Sequence, residues 1–386
     1  MARICDLPKE VVEEIMSWMS PESLRQFKCV NKSWHAFINA LFSNPAFVAK
    51  HLENMKKKML SSRFLQFSNL MTIDSPLEQE ESENTARYLL TLASDDNNNS
   101  DYIPTLTEDM AVLDECNGII CLEVESGIFL LNPALREIKF LPAPGLEVAT
   151  CVGFGYNSRA DDYKVVIIEC GKAKVYTLST NSWKEINLDI EVNVDSDCCT
   201  SVYWNGVYYW CYWGDNGLFT ITSFDFGDDV FRNISLPDYL QREILECVVH
   251  YHGLIKIDLW NESLVILCLC QNNGTFIDLW VMDFNISVAG AQEVSSSWTK
   301  HLTIGPLVGI RCPLVFWGNE LYLKAESKEI VSYNLNTQEL THHSVRLESF
   351  WWILIVYVKS LVSVLKKAGR NSTVEMIDPA SGSTFP

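Results

Sequence analysis

Along the first 45 residues apolar side chains recur at helical spacing. Val11, Ile15 and Trp18/Met19 fall at i, i+4 and i+7/8, the period of one helix face. Pro8 stands where a first-turn proline is tolerated, with Glu10 following. Ser20-Pro21-Glu22 is a second start signal, Ser20 as cap and Pro21 at the first helical position, leading into Leu24 and Phe27. Asn31 can cap a third helix whose apolar face is Trp34, Phe37, Ile38, Leu41 and Phe42. Three helices this short cannot bury a core of their own, so the unit is expected to complete itself against a partner or the next domain.

From Cys116 onward the period shortens to that of strands. Alternating or β-branched and aromatic runs occupy 118–124, 127–132, 163–169, 174–179, 202–212 and 219–226, then 254–258, 264–270, 277–284, 314–316, 320–323, 330–334 and 352–358. No long helical pattern is read between them. An Asn-Gly or Gly-Asn turn recurs at Asn117-Gly118, Asn205-Gly206 and Gly318-Asn319, with Gly253 in a similar setting. Gly118 and Gly206 are 88 residues apart, two steps of 44, and Gly253 follows 47 later. A four-stranded propeller blade repeats every 40 to 50 residues or so. The longer step to Gly318 implies an insertion near Ser287 to Ser297. The expected fold is mainly β with an N-terminal α-helical unit, the β part a propeller-like array of short antiparallel strands. Between the two, residues 71–115 hold twelve acidic side chains against Arg87 alone and include Asp95-Asp96-Asn97-Asn98-Asn99-Ser100. They read as exposed loops around a strand at 87–92. The expected domains are 1–50, a connecting segment 51–115, and 116–386.

Composition adds exclusions. Apolar residues are 48% and charged ones 20% of the 386, as in a packed globular protein. A net charge of −19 excludes a nucleic-acid binder, which needs Lys and Arg to displace counterions. Thirteen cysteines contain no CxxC pair, and the charged start MARICDLPKEVVEEIM lacks the apolar run of a signal peptide. Free thiols in a reducing, cytoplasmic setting are expected. The most apolar segment, 350–358, is too short to span a bilayer and reads as a buried strand.

Candidate chemistry is sparse. There is no Walker A, HExxH or GxSxG pattern, and Gly153-Phe154-Gly155 is only the start of a dinucleotide fingerprint. His250 and His252 alternate along an expected strand and His342-His343 are neighbours, without further ligands at metal spacing. Cys198-Cys199 and Cys268/Cys270 read as small buried hydrophobes. No catalytic residue, metal or cofactor is expected. Trp204 and Trp210 are expected in the core, whereas Trp213 and Asp215, at the Gly214-Asp215-Asn216-Gly217 loop, are candidates for substrate contact.

Leu7-Pro8-x-Glu10-Val11-Val12-x-Glu14-Ile15, Ser20 to Leu24, and Phe27-Lys28-Cys29-Val30-Asn31-Lys32-Ser33-Trp34 with Ile38, Phe42 and Phe47 resemble an F-box. Trp18-Met19 stands where a Leu-Pro pair is usual before the second helix. Beyond it, Asn117-Gly118 to Leu122, Leu131-Asn132-Pro133 to Glu137, Gly153 to Tyr156, Asp161 to Val166, Val175 to Trp183 and Tyr203 to Trp210 look like a plant F-box-associated domain. Together they look most like the S-locus F-box family, pollen determinants of self-incompatibility. The resemblance implies a non-catalytic substrate receptor of an SCF ubiquitin ligase. Leu7, Pro8, Val11, Ile15, Leu24, Val30, Lys32 and Trp34 would build or face the surface for a Skp-type adaptor, which bridges to a cullin. It further implies non-self S-ribonucleases as substrate in the cytoplasm of the pollen tube. An S-locus F-box-like receptor for another plant protein is the alternative; a propeller enzyme would need converging His, Asp or Glu residues. The charge divides accordingly: residues 1–70 carry ten basic and six acidic side chains, whereas the rest carry twenty and forty-three. An acidic recognition region suits a basic protein substrate, with salt-sensitive encounter.

Overall fold

The computed structural model describes residues 7–61, 66–71, 89–94, 101–102, 110–124, 127–144, 151–169, 171–188, 190, 200–214, 217–251, 254–271, 274–283, 293–346 and 355–365. They fall into two compact units, Met1–Leu141 with Ile355–Pro386, and Pro142–Leu354.

The first unit opens with α1 (Lys9–Ser17), α2 (Pro21–Phe27), α3 (Lys32–Phe42) and α4 (Pro45–Ser61). The expected caps are in place: Ser20 Oγ accepts the Ser23 amide at 3.2 Å and Asn31 Oδ1 that of Trp34 at 3.0 Å, satisfying donors a helix start leaves open. Val12, Met16, Leu24, Ile38, Leu41 and Phe47 form their shared core. Three strands, β1 (Gln66–Met71), β2 (Leu89–Ser94) and β3 (Asp101–Tyr102), form a separate small sheet. The strands β4 (Met110–Cys116), β5 (Ile119–Val124), β6 (Gly127–Asn132) and β7 (Glu137–Phe140) follow as one antiparallel meander.

The second unit repeats that meander. Its strands are β8 (Cys151–Asn157), β9 (Asp162–Glu169), β10 (Lys172–Thr177) and β11 (Ser182–Ile186), then β12 (Thr200–Trp204), β13 (Val207–Trp213), β14 (Phe219–Asp225) and β15 (Val230–Ser235). Helix α5 (Asp238–Tyr251) intervenes before β16 (Leu254–Trp260), β17 (Ser263–Gln271), β18 (Thr275–Asp283), β19 (Glu293–Ser295) and β20 (Ser297–Leu307). The last sheet is β21 (Ile310–Trp317), β22 (Glu320–Ala325), β23 (Glu329–Asn334) and β24 (Leu340–Arg346). Counting β4–β7, the described residues hold five such sheets, each with its strands in chain order except that β19 leaves its sequence neighbours and pairs parallel to β15.

The expected repeat has a physical basis in the turn after the third strand, seen in three of the five sheets. Asn132 Oδ1 accepts the Leu135 amide, Asp225 Oδ1 those of Gly227 and Asp228, and Asn334 Oδ1 those of Asn336 and Thr337, at 2.7 to 3.1 Å. Such side-chain turns let the chain reverse through a left-handed residue, here Arg136, Asp229 and Gln338 with φ of 57°, 54° and 60°. Within the second unit successive sheets pack face to face. Val166 and Val175 meet Tyr208, Trp210, Phe224 and Phe226 in one core. Tyr209, Cys211 and Ile221 meet Ile257, Leu264 and Ile266 in the next, and Leu267, Leu279 and Ile304 meet Leu321, Leu323 and Val331 in the third.

Several expectations are corrected. Helix α5 interrupts the strand series: Leu240, Ile244 and Cys247, spaced four and three apart, are buried against β16 and β17, so a helical period was present. His250 therefore lies in a helix rather than on a strand; His252 is outside the described residues. Residues 355–358 form no strand but an irregular segment with one bridge at Val356, because Ile355 and Tyr357 pack on β4–β6; Trp351 and Trp352 lie outside the described residues. Not every thiol is free: Cys247 of α5 is disulfide-bonded to Cys270 of β17, with Cα atoms 5.1 Å apart. Gly153 and Gly155 lie inside β8, where a Cβ would strike the rings of Trp210 and Tyr208, or of Tyr203 and Phe226, within 3 Å. They serve sheet packing, not a phosphate loop. Among the described residues no group of three or more His, Cys, Asp or Glu could hold a metal, and no helix is long and apolar enough to cross a membrane.

Candidate functional site

Helix α1 carries apolar residues on two faces. Val12 and Met16 turn into the helical core with Met19 packed against it, while Leu7, Val11, Ile15 and Trp18 form a stripe in solvent. Val11 and Ile15 are 43% and 47% exposed, and Val30, after α2, is 59% exposed. Four exposed large apolar side chains at i, i+4, i+8 and i+11 exceed the scatter of a soluble surface and mark an interaction face. Trp18 belongs to this stripe although sequence reading placed it beside Met19 as one undivided apolar position. The signal that separates them is the 100° per residue of a helix, which puts Trp18 with Leu7, Val11 and Ile15 and puts Met19 with Val12 and Met16.

The other expected adaptor residues divide in the same way. Pro8 and Lys32 are exposed. Trp34 is half-buried, stacked on Phe27 at 5.5 Å between ring centroids. Leu24 is fully buried among Val12, Met16 and Ile38, so it touches no partner directly and instead sets the positions of α1 and α2.

The first unit also ties this head to β4–β7 through residues 355–365. Leu361 inserts into the helical core. Lys359 pairs with Glu22 at 2.7 Å, and Arg25 donates to the Ala134 carbonyl at 3.2 Å. Asn132 Nδ2 donates to the Val362 carbonyl at 2.7 Å, and Glu137 accepts from Ser363 Oγ at 2.7 Å and the Val364 amide at 3.0 Å. Burial pushes the Glu137 carboxyl up in pKa against these donors. Gly118 is required at the tightest approach: its φ is +83°, and a Cβ would fall 2.4 Å from Ser360 Oγ and 2.5 Å from the Val358 carbonyl. The apolar stripe is thus held by packing and hydrogen bonds to its neighbouring sheet rather than by a tether.

In the second unit, Trp210 is buried and Trp204 is packed against the core, as expected. Trp213 is half-buried, edge-on to Phe219 at 5.4 Å, which makes it a packing residue in large part; Asp215 is outside the described residues. His343 donates to or accepts from Ser332 Oγ at 2.9 Å and lies against Tyr322, and His301 lies against Trp260. These rings have structural neighbours, and among the described residues neither belongs to a group of three or more His, Cys, Asp or Glu that could hold a metal.

A helical head with an exposed apolar stripe, followed by repeated four-stranded meanders, is the build of an F-box protein. The chain belongs to the family described as F-box associated beta propeller domain, whose model matches residues 67–365, and residues 4–43 match the F-box domain. The fold is accordingly N-terminal helices followed by a five-bladed β-propeller, mainly β. F-box/kelch-repeat protein At3g23880 of Arabidopsis thaliana is 25% identical over 382 residues, 93% of this chain and 96% of its own. Putative F-box protein At1g47390, also of Arabidopsis thaliana, is 25% identical over 320 residues, 78% of each chain. TolB from Acinetobacter baumannii overlays 81% of this chain and 72% of its own at 11% identity with a TM-score of 0.41, too distant to bear on function.

Proposed function

We propose that this chain is the substrate-recognition subunit of an SCF-type ubiquitin ligase: its helical head binds a Skp-type adaptor that bridges to a cullin, and its β region holds a protein substrate. The observation that carries this is the stripe of Leu7, Val11, Ile15 and Trp18, an apolar helix face left in solvent while the opposite face is packed. A partner groove would cover it, the helix-in-groove mode of recognition. The receptor performs no chemistry. It raises the concentration of substrate beside a ubiquitin-charged enzyme. Adaptor co-purification tests the reading. Leu7→Ala with Pro8→Ala is expected to abolish it while the melting temperature holds, since both residues are exposed; undiminished capture would refute the assignment.

The proposed substrates are non-self S-ribonucleases, with the receptor acting in pollen. The motif resemblance to the S-locus F-box family supports this, together with the acidic charge outside the head. A second reading, a receptor for another plant protein, is favoured by the relatives, which are Arabidopsis F-box and kelch-repeat proteins whose names mention no ribonuclease. Direct binding of the full chain to purified pistil ribonucleases separates the two.

A further inference from the structure

The last sheet leaves a corner of its core face uncovered. Ile310 pairs with Ala325, Val331 with His342, and Tyr333 with Leu340; because directly paired residues share a face and alternate residues along a strand do too, these side chains point to one side. That side is the one packed against β17, β18 and β20 through Leu321, Leu323 and Val331. Beyond that cover it opens into a cavity of about 330 Å³ with Ile310, Ala325 and Val331 as its buried floor. The turn joining β20 to β21 supplies one wall with Val308, 89% exposed, and β24 supplies the other with Leu340 and His342, both exposed. Glu326 is the only carboxylate of the lining, and Lys328 of the same turn lies outside it. Strand β24 is the edge of its sheet, with no strand on its outer side among the described residues.

We infer that this corner is a docking site for an extended segment of a partner protein, in which a large apolar side chain enters the cavity and an adjacent Lys or Arg meets Glu326. Three features select that occupant. The cavity, at the lower end of the roughly 300 to 1,000 Å³ of ligand pockets, has room for one large side chain. The rim charge is negative on a chain of net charge −19, which favours a cationic flank. The unpaired edge of β24 offers main-chain donors and acceptors to an incoming strand. The inference rests on the receptor reading and narrows it, since it assigns part of substrate capture to the outer strand of the last blade.

The test uses the full chain with its adaptor and short fluorescein-labelled peptides in an anisotropy assay. The probe is Gly-Ser-Lys-Phe-Lys-Ser-Gly, compared with a version carrying Ser for Phe and a version carrying Glu for both Lys. The Phe/Lys peptide is expected to bind at least about tenfold more tightly than either control, the size of a single anchor contact. Val308→Asp should remove that preference, and Glu326→Lys should transfer it to the Phe/Glu peptide. Val308 is exposed enough that its replacement leaves the melting temperature in place. Equal binding of all three peptides, or indifference to both substitutions, overturns the inference. So does a chain that dimerises by light scattering and becomes monomeric on Val308→Asp, because a second copy would then be the occupant. Adaptor capture measured on the same samples keeps the two readings apart: its loss with peptide binding intact sinks the ligase assignment alone.

Discussion

Glu115 is half-buried at the turn that meets residues 355–365. Its carboxylate accepts the Gly118 amide at 2.5 Å and a hydrogen bond from the Val358 backbone, yet burial dominates and pushes its pKa up to about 8. The folded protein therefore keeps a proton that the unfolded chain releases near the ordinary carboxylate value of 4.5. The stability from this group is present at the acid end and lost as pH rises from about 4.5 through about 8. His51 works in the opposite direction, since burial lowers its pKa and charging it below about 6.5 costs stability. The contribution of Glu115 is thus read by difference. Glu115→Gln is expected to melt several degrees closer to its acid value at pH 8 than the wild type does, by calorimetry at both pH values; parallel curves would refute it. At Lys164 the expected effect is that of breaking a largely buried ion pair. Its ammonium, 10% exposed, donates to Asp229 at 2.6 Å and to the Phe226 carbonyl at 2.9 Å, joining β9 to the turn after β14. Lys164→Ala strands a carboxylate that is only 21% exposed, at a cost of about 3 kcal/mol in urea unfolding. Lys164 was legible in sequence as part of a strand and of the family motif, but its pairing was not, because its partner lies 65 residues away.

At the scale of elements, strands were legible because two-residue alternation and Asn-Gly turns are local signals, and the paired strands β12–β13 and β22–β23 fall on the expected runs. What was missed depends on distant contacts. The segment 355–365 is as apolar as a strand, but its buried side chains meet the helical head and β4–β7 rather than a strand partner. Helix α5 hides its three-residue apolar face among polar positions, and only contact with β16 and β17 makes that face decisive. Its placement is over-determined. Gln241 brackets Phe219, accepting its amide at 3.0 Å and donating to its carbonyl at 2.6 Å; Tyr239 donates to the Trp298 carbonyl at 2.6 Å. The Cys247–Cys270 bond closes a loop with a sequence separation of 23, which in the chain-entropy account is worth about 3 kcal/mol. Oxidised protein, digested without reductant, should yield the linked peptide pair by mass spectrometry. Cys247→Ser with Cys270→Ser should lower the melting temperature by several degrees while α5 stays docked.

For the whole molecule, the apolar helix stripe lies in the part of the chain that is not acidic. The head through residue 70 has more basic than acidic side chains and carries the apolar stripe, whereas the remainder has forty-three acidic against twenty basic. Adaptor binding, being apolar, should vary little with ionic strength, since burying hydrocarbon is if anything strengthened by salt. Capture of a basic substrate by the acidic remainder should do the reverse. Exposed charges more than a Debye length apart, about 10 Å at 0.1 M salt and about 3 Å at 1 M, are screened from one another, so long-range attraction is removed first. The loss should fall on the association rate, with dissociation changing less. Surface-immobilised full chain with adaptor, exposed to a purified basic ribonuclease at about 50 mM and about 500 mM salt, should show association slowed at least tenfold at the higher salt and adaptor retained at both. A ribonuclease whose association is indifferent to salt would refute electrostatic capture by the acidic region, whatever its affinity. Adaptor released by salt would refute the apolar stripe as its seat.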